Sequence, residues 1–470
     1  MSFTFRPRLN IEAAVPRHVL ETMHEKALEV LELVGVKVTN ERLLKRITGH
    51  KGFRTENGWV RIRSDLIDSL LSQVKHRRGK VPAADEETPI LSLGYPGCFW
   101  VIDLDTDRLE PLTKSRAIEA TKLIDSLYDW GVRGGAPGAP VDISPRMRRI
   151  AQCLIGYEYS RSASAAPFES YEEAVYIKRM AAVMGEGFGI PIYVVSPLRF
   201  EGISVDRAIP FLEQGDCDWV SVSSMPMAGA TGPVYPVGAF IQGIGECLGP
   251  YAILREAYPE VPASFSIGAY HFDMHYGNIV IGSPEQILLD LFSIALNLFY
   301  GVGPYLVRSF RTMAKKVDIQ GQVEKAASAA VGVLTGPGEF IHSGLLSIDE
   351  VFSPLQLVID CEIARYLARI ARGLEFSQEQ VDLSMQSIVR FAAKGHYLTD
   401  KSVLDEHRRI YWAPSLFDYS LLRTSKLDAD MIGKAKETCR RKIREHTYQL
   451  EGRKKRKLTK IYEEAARNLS

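Results

Sequence analysis

A chain of 470 residues, 46% hydrophobic and 24% charged, is long enough to bury a large core. Its formal net charge of +1 gives no overall attraction for nucleic acid or membrane surfaces, and its six widely spaced cysteines include no CxxC pair. The opening MSFTFRPRLNIEAAVP holds no apolar stretch before a small-residue cleavage site, and no uninterrupted apolar run reaches ~18 residues, so a cytoplasmic, non-membrane protein with reduced thiols is expected.

In chain order, Val19, Leu20, Met23, Ala27, Val30, Leu31 and Leu33 recur at helical spacing, and Gly35 follows as a stop. SDLIDSLLSQV predicts a second helix, with Ser64 as its cap and Asp65 in its first turn. A charged, proline-bearing linker over residues 76–89 comes next. CFWVIDLDTDRLEPLT predicts a β-hairpin, with an apolar run Phe99 to Ile102, a turn over Asp103 to Arg108 and a return to Leu112.

Beyond Thr113 the pattern becomes strand then helix, repeated. Strands are predicted at WGVRGGAP, RSASAAP, IPIYVVSPL, CDWVSVSSMP, PASFSIGAY, GPYLVRSF and GEFIHSG, which is seven, with no clear eighth. The absence of a Gly-rich dinucleotide turn favours a closed TIM (β/α)8 barrel over an open doubly wound sheet. The expected organisation is an N-terminal helical extension over residues 1–90, the barrel over 91–400 and a C-terminal helical segment over 401–470. The basic run RKKRK in the last helix reads as a solvated face, not a nucleic-acid contact.

In a barrel the residues just past each strand gather at one mouth, which carries the active site. The densest cluster there is YHFDMHYG, with Tyr270, His271, Asp273, His275 and Tyr276; no HExxH frame or third ligand accompanies the histidines, so no metal is expected. Asp273 is the candidate acid in that loop, and His342 a second candidate catalytic group. Arg308 and Arg311 follow another strand, and their guanidinium forks suit a carboxylate-bearing substrate. No GxSxG elbow, Walker loop or GxGxxG turn is present, which weighs against the common hydrolase and nucleotide chemistries.

The blocks SMPMAGATGPVYPVG, DMHYGNIVIGSPEQ, SGLLSIDEVFSPLQLVIDCEI and GHYLTDKSVLDEHRRIYWAPSLFD, in that order, resemble the trimethylamine:corrinoid methyltransferase family over nearly the whole chain. With only standard residues throughout, the chain resembles the branch that lacks pyrrolysine. The resemblance implies a TIM barrel and transfer of a methyl group from a quaternary amine, glycine betaine foremost, to the cobalt(I) of a separate corrinoid protein. It implies no cofactor tightly bound by this chain, since the cobalamin arrives on the partner. A quaternary ammonium is held by aromatic faces. Candidates by strand-end placement are Tyr95, Phe99, Trp100, Tyr270, His271, Tyr276 and Phe352, with Arg308 or Arg311 for a betaine carboxylate. The small residues Ala228, Gly229, Ala230 and Gly232 form the expected approach for the corrinoid. Other methylated amines (proline betaine, carnitine, trimethylamine) and a non-catalytic betaine-binding protein are the alternative readings, and a homo-oligomer is expected.

Overall fold

The computed structural model describes residues 2–74, 89–94, 96–302, 307–336, 338–421 and 430–469. The predicted first helix, α1 (Arg17–Leu33), buries Leu20, Met23, Ala27, Leu28 and Leu31. Gly35 ends it at φ +79°, where a methyl group would meet the Val60 carbonyl oxygen at 2.2 Å. The N-terminal section is not purely helical, contrary to expectation. Val36–Val38, Phe53–Glu56 and Trp59–Ile62 form a sheet with Arg199–Phe200. The helix Ser64–Ser72 forms as predicted, but Arg63 is its cap residue; Ser64 instead directs its backbone N–H and hydroxyl to Glu32. Most of the predicted linker lies outside the described residues.

The hairpin forms where predicted, Trp100–Ile102 against Leu109–Pro111, and Val351–Phe352 joins its other edge in parallel. Seven parallel strands follow the strand–helix rhythm: β1 (Leu91–Ser92), β2 (Val132–Arg133), β3 (Gly189–Tyr193), β4 (Trp219–Ser223), β5 (Ala263–Ser266), β6 (Val307–Ser309) and β7 (Glu339–Ile341). They pair in two arcs, β6-β7-β1-β2 and β5-β4-β3, and among the described residues no ladder closes them into the expected barrel. The membership also differs from the prediction. Leu91–Ser92 is a strand the sequence did not reveal, whereas RSASAAP at Arg161 is none.

The physical reason lies in the serines. Ser162 Oγ accepts from the Gly134 N–H at 3.1 Å, and Ser160 Oγ donates to the Gly134 carbonyl at 2.6 Å. Side chains thus take the hydrogen bonds a ladder would use, and the Asp125 and Glu186 carboxylates accept from the Arg161 and Ala165 N–H groups.

Strand alternation sorts the two faces. Ile190 and Ile192 of β3, Val220 and Val222 of β4, Phe265 of β5 and Phe340 of β7 are buried toward the helices. The other face carries Gly189, Pro191 and Tyr193, then Trp219, Ser221 and Ser223, then Ser264 and Ser266, then Glu339 and Ile341, all accessible. A barrel interior is ordinarily filled by bulky branched side chains. Small and polar residues here leave space instead.

Helices cover the buried face: α2 (Pro236–Ala257), α3 (Pro284–Phe299), α4 (Ile319–Thr335) and α5 (Pro354–Arg372). By length and composition α2 alone among the described helices could span a membrane, but 78% of its apolar window is buried inside this fold. The final helix, Gly452–Leu469, buries Leu458, Ile461, Ala465 and Leu469, and most of the RKKRK run is exposed.

Candidate active site

A cavity of about 240 Å³ lies at the carboxyl ends of β3, β4 and β5, between Tyr193, Ser223, Ser266, Tyr270, Asp290 and Arg311. Its chemistry is held by α3. Within the apolar run PEQILLDLFSIALNLF, Gln286, Asp290, Ser293 and Asn297 fall at i, i+4, i+7 and i+11, one polar stripe on one face. Asn297 accepts from the Ile267 N–H at 3.0 Å and donates to its carbonyl at 2.9 Å, fixing the chain beyond β5. Gln286, fully enclosed, accepts from the His271 N–H at 2.9 Å and donates to Asp290 at 2.8 Å. The carboxylate is thereby tied through Gln286 to the His271 backbone.

Opposite stands Arg311, 3.7 Å from Asp290 and with its guanidinium carbon 5.9 Å from the centre of the Tyr270 ring. Burial pushes the Asp290 carboxyl above the ordinary carboxylate range, with Arg311 opposing. Burial and then Glu350 do the same to Asp349, again opposed by Arg311. One guanidinium therefore offsets two carboxyl groups. The site combines a cation, an anion and an aromatic face in one small space.

His342 follows β7 in the left-handed region, φ +61°, and is buried with no hydrogen-bond partner for Nδ1. Burial, then Arg311 and Lys325, hold its pKa well below the ordinary imidazole value, which keeps the ring neutral. Its carbonyl accepts from Lys325 Nζ at 3.2 Å, and Lys325 pairs with Asp360 at 2.8 Å, both fully buried. Asp360 also accepts from the Gly344 N–H at 2.7 Å and Gln356 at 2.8 Å. This network sets the turn that carries His342.

Of the residues expected at the mouth, Tyr270 and Arg311 line the cavity. The rest of YHFDMHYG is a hairpin, Tyr270–Asp273 against Asn278–Val280. Asp273 closes its turn by accepting from the His275 N–H at 2.8 Å and the Tyr276 N–H at 2.9 Å, and these bonds hold its pKa low. That places it as a turn residue, away from the acid role expected of it. His271 Nδ1 lies 3.0 Å from Ser283 Oγ at the start of α3, and Tyr276 is 77% exposed at the hairpin tip. Phe352 is fully buried in the strand–helix core, so it has no face to offer a ligand. Phe99 and Trp100 are partly exposed on the other hairpin and do not line the cavity; the Arg149 guanidinium stands 5.6 Å from the Phe99 ring. Arg308 lies in β6, paired in register with Phe340, while its side chain and the whole of Tyr95 fall outside the described residues. No group of three His, Cys, Asp or Glu suited to a metal occurs among the described residues.

The small-residue stretch begins as Met227–Ala228, parallel to Tyr270–His271, and then folds into a tight exposed turn. The N–H groups of Ala230, Thr231 and Gly232 all converge on the Met227 carbonyl at 3.0 Å. Gly229 has φ +92°, so its glycine is required by conformation, while Ala230 is simply exposed.

Asp290, Gln286 and Asn297 went unnoticed in the sequence because they belong to a helix, not to a strand end. The signal was nonetheless present as a polar stripe at helical spacing inside an apolar run.

A family model described as "Trimethylamine methyltransferase (MTTB)" matches residues 7–448. The chain therefore belongs to the trimethylamine methyltransferase family. It is a methyltransferase. Glycine betaine methyltransferase of Desulfitobacterium hafniense (strain Y51) is 24% identical over 435 residues, covering 89% of this chain and 88% of that protein. L-carnitine:corrinoid methyltransferase of Eubacterium limosum is 24% identical over 431 residues, covering 85% and 86%. Proline betaine:corrinoid methyltransferase of the same organism is 24% identical over 450 residues, covering 91% of each. Among solved structures, monomethylamine methyltransferase (MtmB) of Methanosarcina barkeri aligns at a TM-score of 0.43 and 11% identity, over 91% of this chain and 88% of that one.

Proposed function

We propose that this chain removes a methyl group from a quaternary amine bearing a carboxylate, with glycine betaine the first substrate to test, and passes it to a corrinoid carried by a separate protein. The observation that carries this reading is the pairing of Asp290 and Arg311 beside the Tyr270 ring in the cavity. A betaine is a zwitterion, and a cavity holding one fixed charge of each sign is its complement. The ammonium cannot donate a hydrogen bond, so it goes to the Tyr270 face and the Asp290 carboxylate. The substrate carboxylate goes to Arg311. The substrates in the relatives' names, glycine betaine, carnitine and proline betaine, share that pair of groups.

Chemically, a quaternary nitrogen already carries the charge that lets a neutral tertiary amine leave. The N–CH₃ bond breaks with its electron pair remaining on nitrogen, and no proton is needed. Cobalt(I), when the partner is docked, supplies the nucleophile. The small exposed residues from Ala228 to Gly232 fit close approach of a broad planar group. The chain's own task is to orient the methyl group and exclude water, which is the proximity term. We read the two strand arcs as staves of one eight-position barrel, with residues 160–166 occupying the position between β2 and β3.

The partner aside, the chain is expected to work as a homo-oligomer. The helix Gln378–Phe391 buries only Phe391 of its 14 residues, and the strands Ser2–Phe5 and Leu374–Ser377 that pair beside it leave Phe3, Phe5, Leu374 and Phe376 exposed. A two-stranded sheet and a helix with so little burial need a covering surface. A second copy of the same arm, apolar on the same side chains, supplies one.

Mixing the chain with reduced corrinoid protein and glycine betaine tests the reading directly. Conversion of the cobalt(I) spectrum to methyl-cobalt(III), with release of dimethylglycine, is expected. No conversion with glycine betaine, proline betaine or carnitine overturns it and leaves a binding protein or a different methyl donor.

A further inference from the structure

A second and larger cavity, about 540 Å³, runs along the accessible face from Gly189, Trp219 and Glu339 at the starts of β3, β4 and β7 to Leu93, Gly94 and Gly134, just past β1 and β2. It adjoins the mouth cavity: Pro191 of β3 and Glu339 of β7 line it, each two residues, or about 7 Å at the ordinary strand rise, from Tyr193 and Ile341 of the mouth. Its walls hold two carboxylates. Glu186 accepts from the Tyr157 hydroxyl at 2.9 Å and the Ala165 N–H at 3.1 Å, and Glu339 has a hydrogen bond from Ser92. Burial pushes both carboxyl groups up, and no described lysine, arginine or histidine pairs with either.

Arg133, the one cation among the described lining residues, is engaged elsewhere. Its guanidinium lies 3.6 Å over the Tyr128 ring and donates to the Tyr128 and Val132 carbonyls at 2.7 and 2.9 Å. Trp219 keeps 43% of its surface accessible, and its indole packs against Gly189, where a methyl group would come within 2.1 Å of the ring. Glycine at that position leaves room for the indole in the chamber wall.

We infer that this chamber is a second binding site, for a small organic cation of the alkylammonium class that carries no carboxylate. An aromatic face and uncompensated carboxylates select a weakly hydrated cation. With no free cation among the described lining residues a zwitterion is disfavoured, and the absence of a described three-ligand cluster disfavours a metal. This inference stands independently of the substrate proposed at the mouth.

Calorimetric titration of the full chain with tetramethylammonium chloride, against sodium chloride at equal ionic strength, tests it. Saturable binding is expected, weakened about tenfold by Glu339→Gln or Trp219→Leu and kept in Tyr270→Ala; a tenfold change corresponds to one cation–π contact of ordinary strength. Glycine betaine is expected to bind the Tyr270→Ala protein more weakly than tetramethylammonium does. Glu186→Gln, which keeps an oxygen for Tyr157 and Ala165, serves if Glu339→Gln fails to fold by its thermal melt. Absence of saturable heat in the unmodified chain overturns the site. So does binding that survives every chamber variant and disappears with Tyr270→Ala. Methyl transfer is read in a separate assay, so failure here leaves the mouth reading standing, and the converse holds.

Discussion

Arg311 is the residue on which most of the mouth's electrostatics depend, because it opposes the burial of both Asp290 and Asp349. Arg311→Ala is expected to lower kcat/KM for betaines by about 30-fold, the low end for truncating one partner of a charge pair because this pair is only partly buried, and far less for an amine without a carboxylate. Steady-state comparison of the two substrate types decides it, since equal losses remove Arg311 from carboxylate recognition. The pH profile reports on Asp290. Its pKa is raised in the folded chain, so protonation begins at higher pH than for an ordinary carboxylate, and the anion that attracts the ammonium is lost as pH falls through that raised value. The acid limb of kcat/KM should therefore lie above the usual carboxylate range, and Asp290→Asn should abolish it. Deeper in, Lys325 and Asp360 form a fully buried pair, which costs little while intact and much when halved. Asp360→Asn or Lys325→Met should each destabilise by about 3–5 kcal/mol in denaturant unfolding, and the Lys325→Met/Asp360→Leu double variant should recover much of the loss.

At the level of elements, sequence periodicity located the first helices, the hairpin at Trp100–Ile102 and six of the seven parallel strands. It failed where side chains replace backbone pairing. RSASAAP has strand-like composition, yet Ser160 and Ser162 take the Gly134 bonds, a choice made by tertiary neighbours and invisible locally. Leu91–Ser92 was missed for the opposite reason, being only two residues long. Strand-end placement brings Tyr270 and Arg311 to the cavity lining, whereas the short side chain of Asp273 serves its own turn. Asp290 has no such signature, because α3 delivers it sideways. The small-residue turn yields a prediction at this scale. Gly229 is fixed by its positive φ, so Ala230 is the cleaner probe. Ala230→Leu should slow methyl transfer to the corrinoid protein while leaving the calorimetric affinity for the amine within about twofold, as expected of a surface substitution. An equal loss in both would reduce the turn to packing.

For the whole molecule, composition anticipated a large core and the strand–helix alternation an α/β protein, and two large buried clusters lie on the helical side of the strands. The arm formed by both ends of the main fold is a different matter, because its apolar side chains face outward. Sedimentation should show an assembly larger than the 52.5 kDa chain, and Ile388→Glu, on the exposed face of Gln378–Phe391, should shift it toward monomer. A monomeric wild-type chain at micromolar concentration would remove that arm as the interface.

The serine stitching between β2 and residues 160–166 has a consequence for how this molecule comes apart. A backbone ladder closes cooperatively, each bond aligning the next, whereas hydroxyl bonds to a single residue, Gly134, can break one at a time without disturbing the strands on either side. In the barrel proposed above these bonds form a seam, and a seam gives a direction to opening. The arc ending at β2 and the arc ending at β3 would part there while each keeps its own ladder, so the first excursions from the native state should separate two intact sheets rather than fray one.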